Sequence, residues 1–468
     1  MAISLLAVFF AAMETSVAAT SVPVIPAPGE VRLTDKPADP ASLSNVRYVK
    51  TPKMGAEAYA LKIRKRGITI RYATDAGRFY AEKTLGQLSR NGGLYQGIIR
   101  DEPRFAWRGF MLDEARHFQG KEKVKELLDI MAEFKLNRFH WHLTDNEGWR
   151  LEIKTFPELT TVGAIGNRSD RQAAAQYYTQ EDIREIVQFA ADRHIEIIPE
   201  IDMPGHSGAI IRSIPELDGK KGTLNPGSEK TYEFIEAVLR EVAGLFPGRY
   251  IHIGGDEVNK SKWPELPEVQ ALMKREGYQS TQEVQHYFGR RVTAIVTSLG
   301  KKAMGWDDLR TSGISPDDAV LHWWQTRFYE EKFQDDLRRG FHVVACPNIP
   351  MYFDYIQEEG HIHGFRPDLH FISKLKDIYE FQVEDNPLVV GVQANLWSEL
   401  VHNSKRMDFM IYPRLFALSE LAWSKERDFP DFQRRLEDVY PWMDNKGLYY
   451  YDARHPERHP EPEYEKKR

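Results

Sequence analysis

From residue 107 onward the sequence repeats one pattern: a short apolar run, a polar loop, and in most units an amphipathic segment. The apolar runs are "GFMLD" (109–113), "RFHWHL" (138–143), "IEIIPEI" (195–201), "YIHIGG" (250–255), "KAMGW" (302–306), "AVLHWW" (319–324), "FHVVAC" (341–346) and "LVVGVQANLW" (388–397), eight in all. Between them "KEKVKELLDIMAEFKL" carries Val124, Leu127, Leu128, Met131 and Phe134 at helical spacing. "TQEDIREIVQFAADRH" opens with Thr179 as an N-cap, and Ser280 with Glu283 has capping-box spacing before a helix that stops at Gly300. "YEEKFQDDLRRG" ends in glycine in the same way, at Gly340. Continuous apolar strands alternating with helices mean a parallel sheet covered on its outer face. Eight such units predict an α/β fold of the (β/α)8 TIM-barrel type over residues 103–450, with its working face at the C-terminal strand ends.

Polar and aromatic residues follow those ends. Arg108 and Asp113 flank the first strand, and His142 and Asp145 close the second. The third leads into Asp202 and His206, the fourth into Asp256 and Glu257, and the fifth into Trp306 and Asp307. Trp323 and Trp324 end the sixth, Tyr352 and Asp354 lie past the seventh, and Trp397 and Glu399 close the eighth. Solvated acids scattered over a surface would not track strand ends in this way.

Ahead of the barrel, residues 20–102 read as a small α+β domain. "EVRLT", "ALKIRKR" and "ITIRYAT" are strand-like, and "AGRFYAEKTLGQLSR" is a helix with Phe79, Leu85 and Leu88 inward. Residues 1–19 carry an apolar run and then "VAA", the pattern of an export signal, which predicts a periplasmic or secreted protein, with a retained N-terminal anchor as the alternative. Residues 451–468 read as a polar tail. The net charge of −6 argues against nucleic acid or an anionic membrane surface as partner, and no later segment is apolar enough to span a bilayer. The single cysteine, Cys346, excludes an intrachain disulfide and reads as a core thiol.

Within "HIGGDEV" (252–258) two acids follow a strand and a pair of glycines. Indole faces stack on sugar rings, while carboxylates and a guanidinium take hydrogen bonds from hydroxyls. Glycosidic cleavage needs a proton donor for the leaving oxygen and something to meet the cationic anomeric carbon. Glu257 suits the donor if apolar surroundings and a neighbouring charge raise its pKa. Two sequence neighbours are badly placed to flank one bond from opposite sides, so Asp256 has a task other than attack on that carbon.

The blocks "WRGFMLDEARHF", "KLNRFHWHLTDNEGWRLEIK", "IIPEIDMPGH", "YIHIGGDEV", "GWDD", "YFDY" and "GVQANLWSE" together resemble family 20 glycoside hydrolases, the β-N-acetylhexosaminidases, over residues 20 to about 445. The resemblance implies an exo-acting, retaining enzyme for terminal β-linked GlcNAc or GalNAc, with neither metal nor cofactor. The substrate's 2-acetamido oxygen would attack the anomeric carbon to give an oxazolinium ion. Glu257 would be general acid and base, and Asp256 would orient the acetamido group. Arg108 would bind hydroxyls of the terminal sugar and Glu399 the opposite rim. Tyr352 would meet the acetamido carbonyl with Asp354 beside it, and Asp145 with His206 would tune Glu257. Trp306, Trp323 and Trp397 would wall the acetamido pocket, with Trp324 the alternative to Trp323 in the doublet.

Asn146 and Glu147 stand where the family commonly has Asp and Gln, which touches the leaving-group side. Asp113 also reads as a structural partner of Arg116 or Arg108, and Asp202 and Glu200 as supporting residues. His140 and His142 form the H-x-H of metal-dependent hydrolase barrels. That alternative predicts bound zinc, and a silent sugar-binding protein predicts binding without turnover.

Overall fold

Each of the eight apolar runs forms a strand in the computed structural model, which describes residues 21–325, 330–365 and 371–464. They are β6 (Trp107–Asp113), β7 (Arg138–His142), β8 (Glu196–Glu200), β9 (Tyr250–His252), β10 (Lys302–Trp306), β11 (Ala319–Trp323), β12 (His342–Ala345) and β13 (Val389–Leu396). All neighbours pair in parallel and β13 returns to β6, so the sheet closes into a barrel. Alternation along the strands sends every second side chain inward. Trp107, Ile198, Met304, Val320 and Val344 fill one interior layer. Above it lies a polar layer in which the rings of His140, His252 and His322 approach to between 4.5 and 5.2 Å.

The helices form where the spacing places them. The helix Lys121–Glu133 buries Val124, Leu127, Leu128 and Met131, and Phe134 is buried at its C-cap. Thr179 closes a capping box with Asp182, and Ser280 closes one with Glu283. The run ending at Gly340 forms the helix Glu330–Arg338. Cys346 is buried and unpaired.

The smaller unit has five strands, β1 (Glu30–Pro37), β2 (Val46–Lys50), β3 (Tyr59–Arg64), β4 (Gly67–Tyr72) and β5 (Tyr95–Asp101), in the order β1-β5-β3-β4-β2. β2 runs parallel to β4 and the remaining pairs are antiparallel. The helix Asp75–Arg90 packs on β3 and β4. Leu85 and Leu88 are buried as expected, but Phe79 is half-buried and Tyr80 takes the inward position.

The barrel unit comprises Ile25–Ala27 with Pro103–Arg468. The described part of the segment read as a polar tail, residues 451–464, is docked: Glu461 accepts hydrogen bonds from the Ile362 and His363 amides and pairs with Arg406 at 3.2 Å. The signal-like residues 1–19 lie outside the described residues. No described helix is long and apolar enough to cross a membrane.

Candidate active site

The turn after β9 presents the acid pair. Gly254 and Gly255 take φ of +64° and +104°, values that favour glycine, so the strand stops at His252 instead of running to Gly255. A Cβ on Gly254 would collide with Asp202 Oδ1, so the turn lies directly on that carboxyl. Glu257 (φ +47°) and His206 (φ +51°) are left-handed without being glycine. Such residues cost about 1–3 kcal/mol each and cluster at functional sites.

The pair divides between two environments. The Asp256 side chain is 11% exposed and the Glu257 side chain 64% exposed. The apolar surround expected for Glu257 is therefore absent from this conformation. His206 Nε2 faces both carboxylates, at 3.6 Å from Asp256 and 3.7 Å from Glu257. Its Nδ1 lies 3.0 Å from Asp145 Oδ2. Burial disfavours a charge on His206, but Asp145 and Asp256 outweigh it and hold its pKa well above the usual value. Asp256 is pushed up to about 6, chiefly by burial; His206 opposes the shift, and the charges of Glu200, Asp308 and Glu257 add to it. Asp145 is buried too, yet Arg116, His206 and His142 keep it well below the ordinary carboxylate range.

The site's arginine is Arg116, three residues past the end of β6. Its guanidinium reaches Asp113 at 3.1 Å, Asp145 at 2.6 Å, Glu147 at 3.5 Å and Glu399 at 4.0 Å, and lies 5.1 Å from the Trp397 ring. Arg108 does not join the site. It sits near the N-terminal end of β6, wholly buried, where it donates to the carbonyls of Lys135 and Phe105 and lies over Trp423. A residue that enters a barrel strand belongs to the stabilising face, and the barrel rule itself selects an arginine after the strand.

An aromatic box stands beside the pair. Trp306 and Trp397 approach to 5.8 Å, Trp397 and Tyr352 to 6.2 Å, and Tyr352 stacks with Trp324 at 6.4 Å and 12°. Trp324 is also fixed by its Nε1–H to Asp308 at 3.3 Å. Trp323 points away. His322 packs with the interior rings, so the next residue faces outward, and Trp323 lies against Phe333. Of the doublet, Trp324 stands in the aromatic box and Trp323 does not.

Asp256 Oδ1, Asp354 Oδ1, Glu399 Oε2 and Asp202 Oδ2 are buried without hydrogen-bond partners. Leaving such groups unpaired costs roughly 1–3 kcal/mol apiece. Burial, then the charge of Glu399, raises Asp354 well above the ordinary range. These oxygens suit a ligand rich in hydroxyl and amide groups.

Among the described residues, four groups bring possible metal-ligating atoms within 4.8 Å of one another: His140–His252–His322, His142–Glu200–Asp202, Asp145–Asp202–His206 and His206–Asp256–Glu257. Some of these atoms face one another, while both His322 nitrogens, Asp202 Oδ2 and Asp256 Oδ1 are buried without a hydrogen-bond partner. Glu200 faces His140, His142 and His252 at 2.9, 2.7 and 3.0 Å, and Asp145 faces His206.

The family description "Glycosyl hydrolase family 20, catalytic domain" matches residues 105–426, and "Glycosyl hydrolase family 20, domain 2" matches residues 4–102. The chain belongs to glycosyl hydrolase family 20. A beta-hexosaminidase of Porphyromonas gingivalis is 37% identical over 434 residues, covering 84% of this chain and 54% of that protein. One from Vibrio furnissii is 39% identical over 408 residues, covering 79% and 65%. The chain thus spans about half to two thirds of the length of these two relatives. Among solved structures, the family 20 exo beta-N-acetylglucosaminidase of Vibrio harveyi in complex with N-acetylglucosamine superposes with a TM-score of 0.83 at 33% identity, covering 92% of this chain and 78% of that one.

Proposed function

We propose that this family 20 protein is an exo-acting, retaining β-N-acetylhexosaminidase using substrate-assisted catalysis. The observation that carries the reading is the split between the neighbours, Asp256 buried and Glu257 exposed, with His206 facing both. Two adjacent acids in different environments suit two tasks on one sugar. Asp256 accepts the acetamido N–H and offsets positive charge as the acetamido oxygen attacks the anomeric carbon. The bond to the leaving oxygen breaks as Glu257 gives that oxygen its proton. Water then attacks the anomeric carbon, the bond to the acetamido oxygen breaks to restore the acetamide, water's proton goes to Glu257, and two inversions retain configuration. Intramolecular attack carries an effective molarity on the order of 10⁵ M or more, so no protein nucleophile is required.

The aromatic box supports acetamido recognition by Trp306, Trp324, Tyr352 and Trp397. Arg116, Asp354 and Glu399 supply groups for the hydroxyls of the terminal sugar. The named relatives support β-linked N-acetylhexosaminides as the substrate class.

The test compares kcat/KM for an aryl β-N-acetylglucosaminide with that for the matching β-glucoside. A strong preference for the acetamido sugar is expected, and comparable rates would defeat substrate assistance. Glu257→Gln is expected to slow poor leaving groups far more than activated aryl ones. Equal losses on both would remove Glu257 from the acid's role.

A further inference from the structure

Beneath the acid pair lies a buried chain of alternating charge that the chemistry above leaves without a purpose. Its root is Glu200, the last residue of β8, whose side chain is wholly buried. Four ring nitrogens from three other strands stand around this one carboxylate: His142 Nδ1 at 2.7 Å, His140 Nε2 at 2.9 Å, Trp306 Nε1 at 3.0 Å and, at 3.0 Å, His252 Nδ1, which also accepts the Gly254 amide.

Two arms leave this root. The first runs from Glu200 to His142, from His142 Nε2 to Asp145 at 3.2 Å, from Asp145 to His206 at 3.0 Å, and from His206 to Asp256 and Glu257. The second is the indole of Trp306, which stands 5.8 Å from Trp397 in the aromatic box.

The charges along the first arm are fixed by their neighbours. Burial opposes ionisation of His142, but Glu200, Asp145 and Asp113 outweigh it and hold it protonated well above the usual range. Glu200 is kept well below the usual carboxylate range because His252, His142 and His140 outweigh its burial. The flanking imidazoles behave oppositely. His140 is pushed down to about 4 by burial and by His252, and His322 is lowered well below its usual value by burial, His252 and His140. Asp202 is raised well above the ordinary range by burial and then by Asp256, while Arg116 pairs with Asp145 from the far side. The arm therefore reads, from the root, anion, cation, anion, cation, ending at the acid pair.

We infer that Glu200 is a positioning residue that sets two parts of the site at once. Through the His142 imidazolium it fixes Asp145, and thereby His206 behind Asp256 and Glu257. Through Trp306 Nε1 it fixes the wall that holds the acetamido group against the anomeric carbon. The inference rests on the roles given to those residues in the proposed function. Coupling both parts to one carboxylate holds the internal nucleophile and the proton donor in register, where an error of about 1 Å can cost 10²-fold in rate.

Glu200→Gln tests this, because glutamine keeps the shape and removes the charge. Three effects are expected together for the aryl β-N-acetylglucosaminide. kcat/KM falls about 10²-fold; KM rises as Trp306 loses its anchor; and the alkaline limb of the pH profile moves to lower pH, because His142, left with Asp145 and Asp113 alone, releases its proton sooner. Glu200→Asp, which keeps the charge, is expected to restore the limb while recovering little of KM. A Glu200→Gln enzyme with an unchanged profile and KM, altered only in Tm, would reduce Glu200 to a packing group and overturn the inference.

If the variant does not fold, ¹⁵N-histidine NMR of the wild-type protein decides. His142 is expected to be doubly protonated at pH 8, and a neutral ring there overturns the inference. The acetamido-over-hydroxyl preference of the wild type reads substrate assistance separately, and its failure would leave the Glu200-dependent pH shift standing.

Discussion

Arg116 Nη2 lies 2.6 Å from Asp145 Oδ2, and neither side chain is more than 8% exposed. Because Asp145 also holds His206, the proposed function makes the guanidinium bear on proton transfer as well as on the sugar. Removing one partner of a buried pair leaves the other uncompensated, at a cost of about 3–5 kcal/mol. Arg116→Gln is therefore expected to lower Tm and to raise KM for the aryl N-acetylglucosaminide. Arg108→Met is expected to lower Tm with KM unchanged, since Arg108 serves backbone carbonyls at the opposite end of β6. Paired melting and steady-state measurements check both. A KM rise in Arg108→Met alone would return the sugar to that residue.

The tryptophan doublet gives a second contrast. Trp324 stacks on Tyr352, whereas Trp323 packs on Phe333 outside the barrel. Trp324→Ala is expected to raise KM by 10-fold or more, because about 0.5–1.5 kcal/mol of ring contact is lost in addition to apolar burial. Trp323→Ala is expected to destabilise by about 3–5 kcal/mol as a core truncation and to leave KM of the folded enzyme near wild type. Opposite outcomes would mean that the doublet turns over when substrate enters.

The contrast also marks what the sequence shows and what it hides. The eight barrel strands are legible because parallel strands buried on both faces read as unbroken apolar runs. β2 ("VRYVK") and β5 ("YQGIIRD") lie outside that reading, and neither carries an unbroken buried run. The acid pair, His206 and Asp145 are legible because a barrel concentrates chemistry after strand ends. The facing of Trp323 is not, since parity within a strand needs the register of its neighbours. Nor is the exposure of Glu257, which follows from a left-handed backbone that no side-chain pattern encodes.

The buried aspartate is expected to set an acid limit on activity. Burial raises Asp256 to about 6, so it is ionised above that pH and protonated below it. Its proposed task needs a carboxylate that accepts the acetamido N–H. kcat/KM reports ionisations of the free enzyme, so it is expected to fall with unit slope as pH drops through about 6. Asp256→Asn is expected to be slow at every pH and to lose that limb. A limb that persists in the variant assigns the ionisation to another group.

Gly254 offers the most direct test of how the turn aims the acids. It combines φ of +64° with a site where a Cβ would collide with Asp202 Oδ1, and its amide is held by His252 Nδ1 at 3.1 Å. Gly277, at a helix end, has a similar φ of +72° with open space around it. Gly277→Ala therefore measures the cost of the left-handed backbone alone, about 1–2 kcal/mol, and is expected to leave kcat unchanged. Gly254→Ala adds the collision, which can be relieved only by moving Asp202 or the segment bearing Asp256 and Glu257. It is expected to destabilise beyond the Gly277 variant and to lower kcat by 10²-fold or more, as displacement of positioned groups does. Chemical denaturation and kcat of both variants separate the two effects. Equal stability losses with equal kcat would show that Asp202 yields freely and that the turn's position is set from elsewhere.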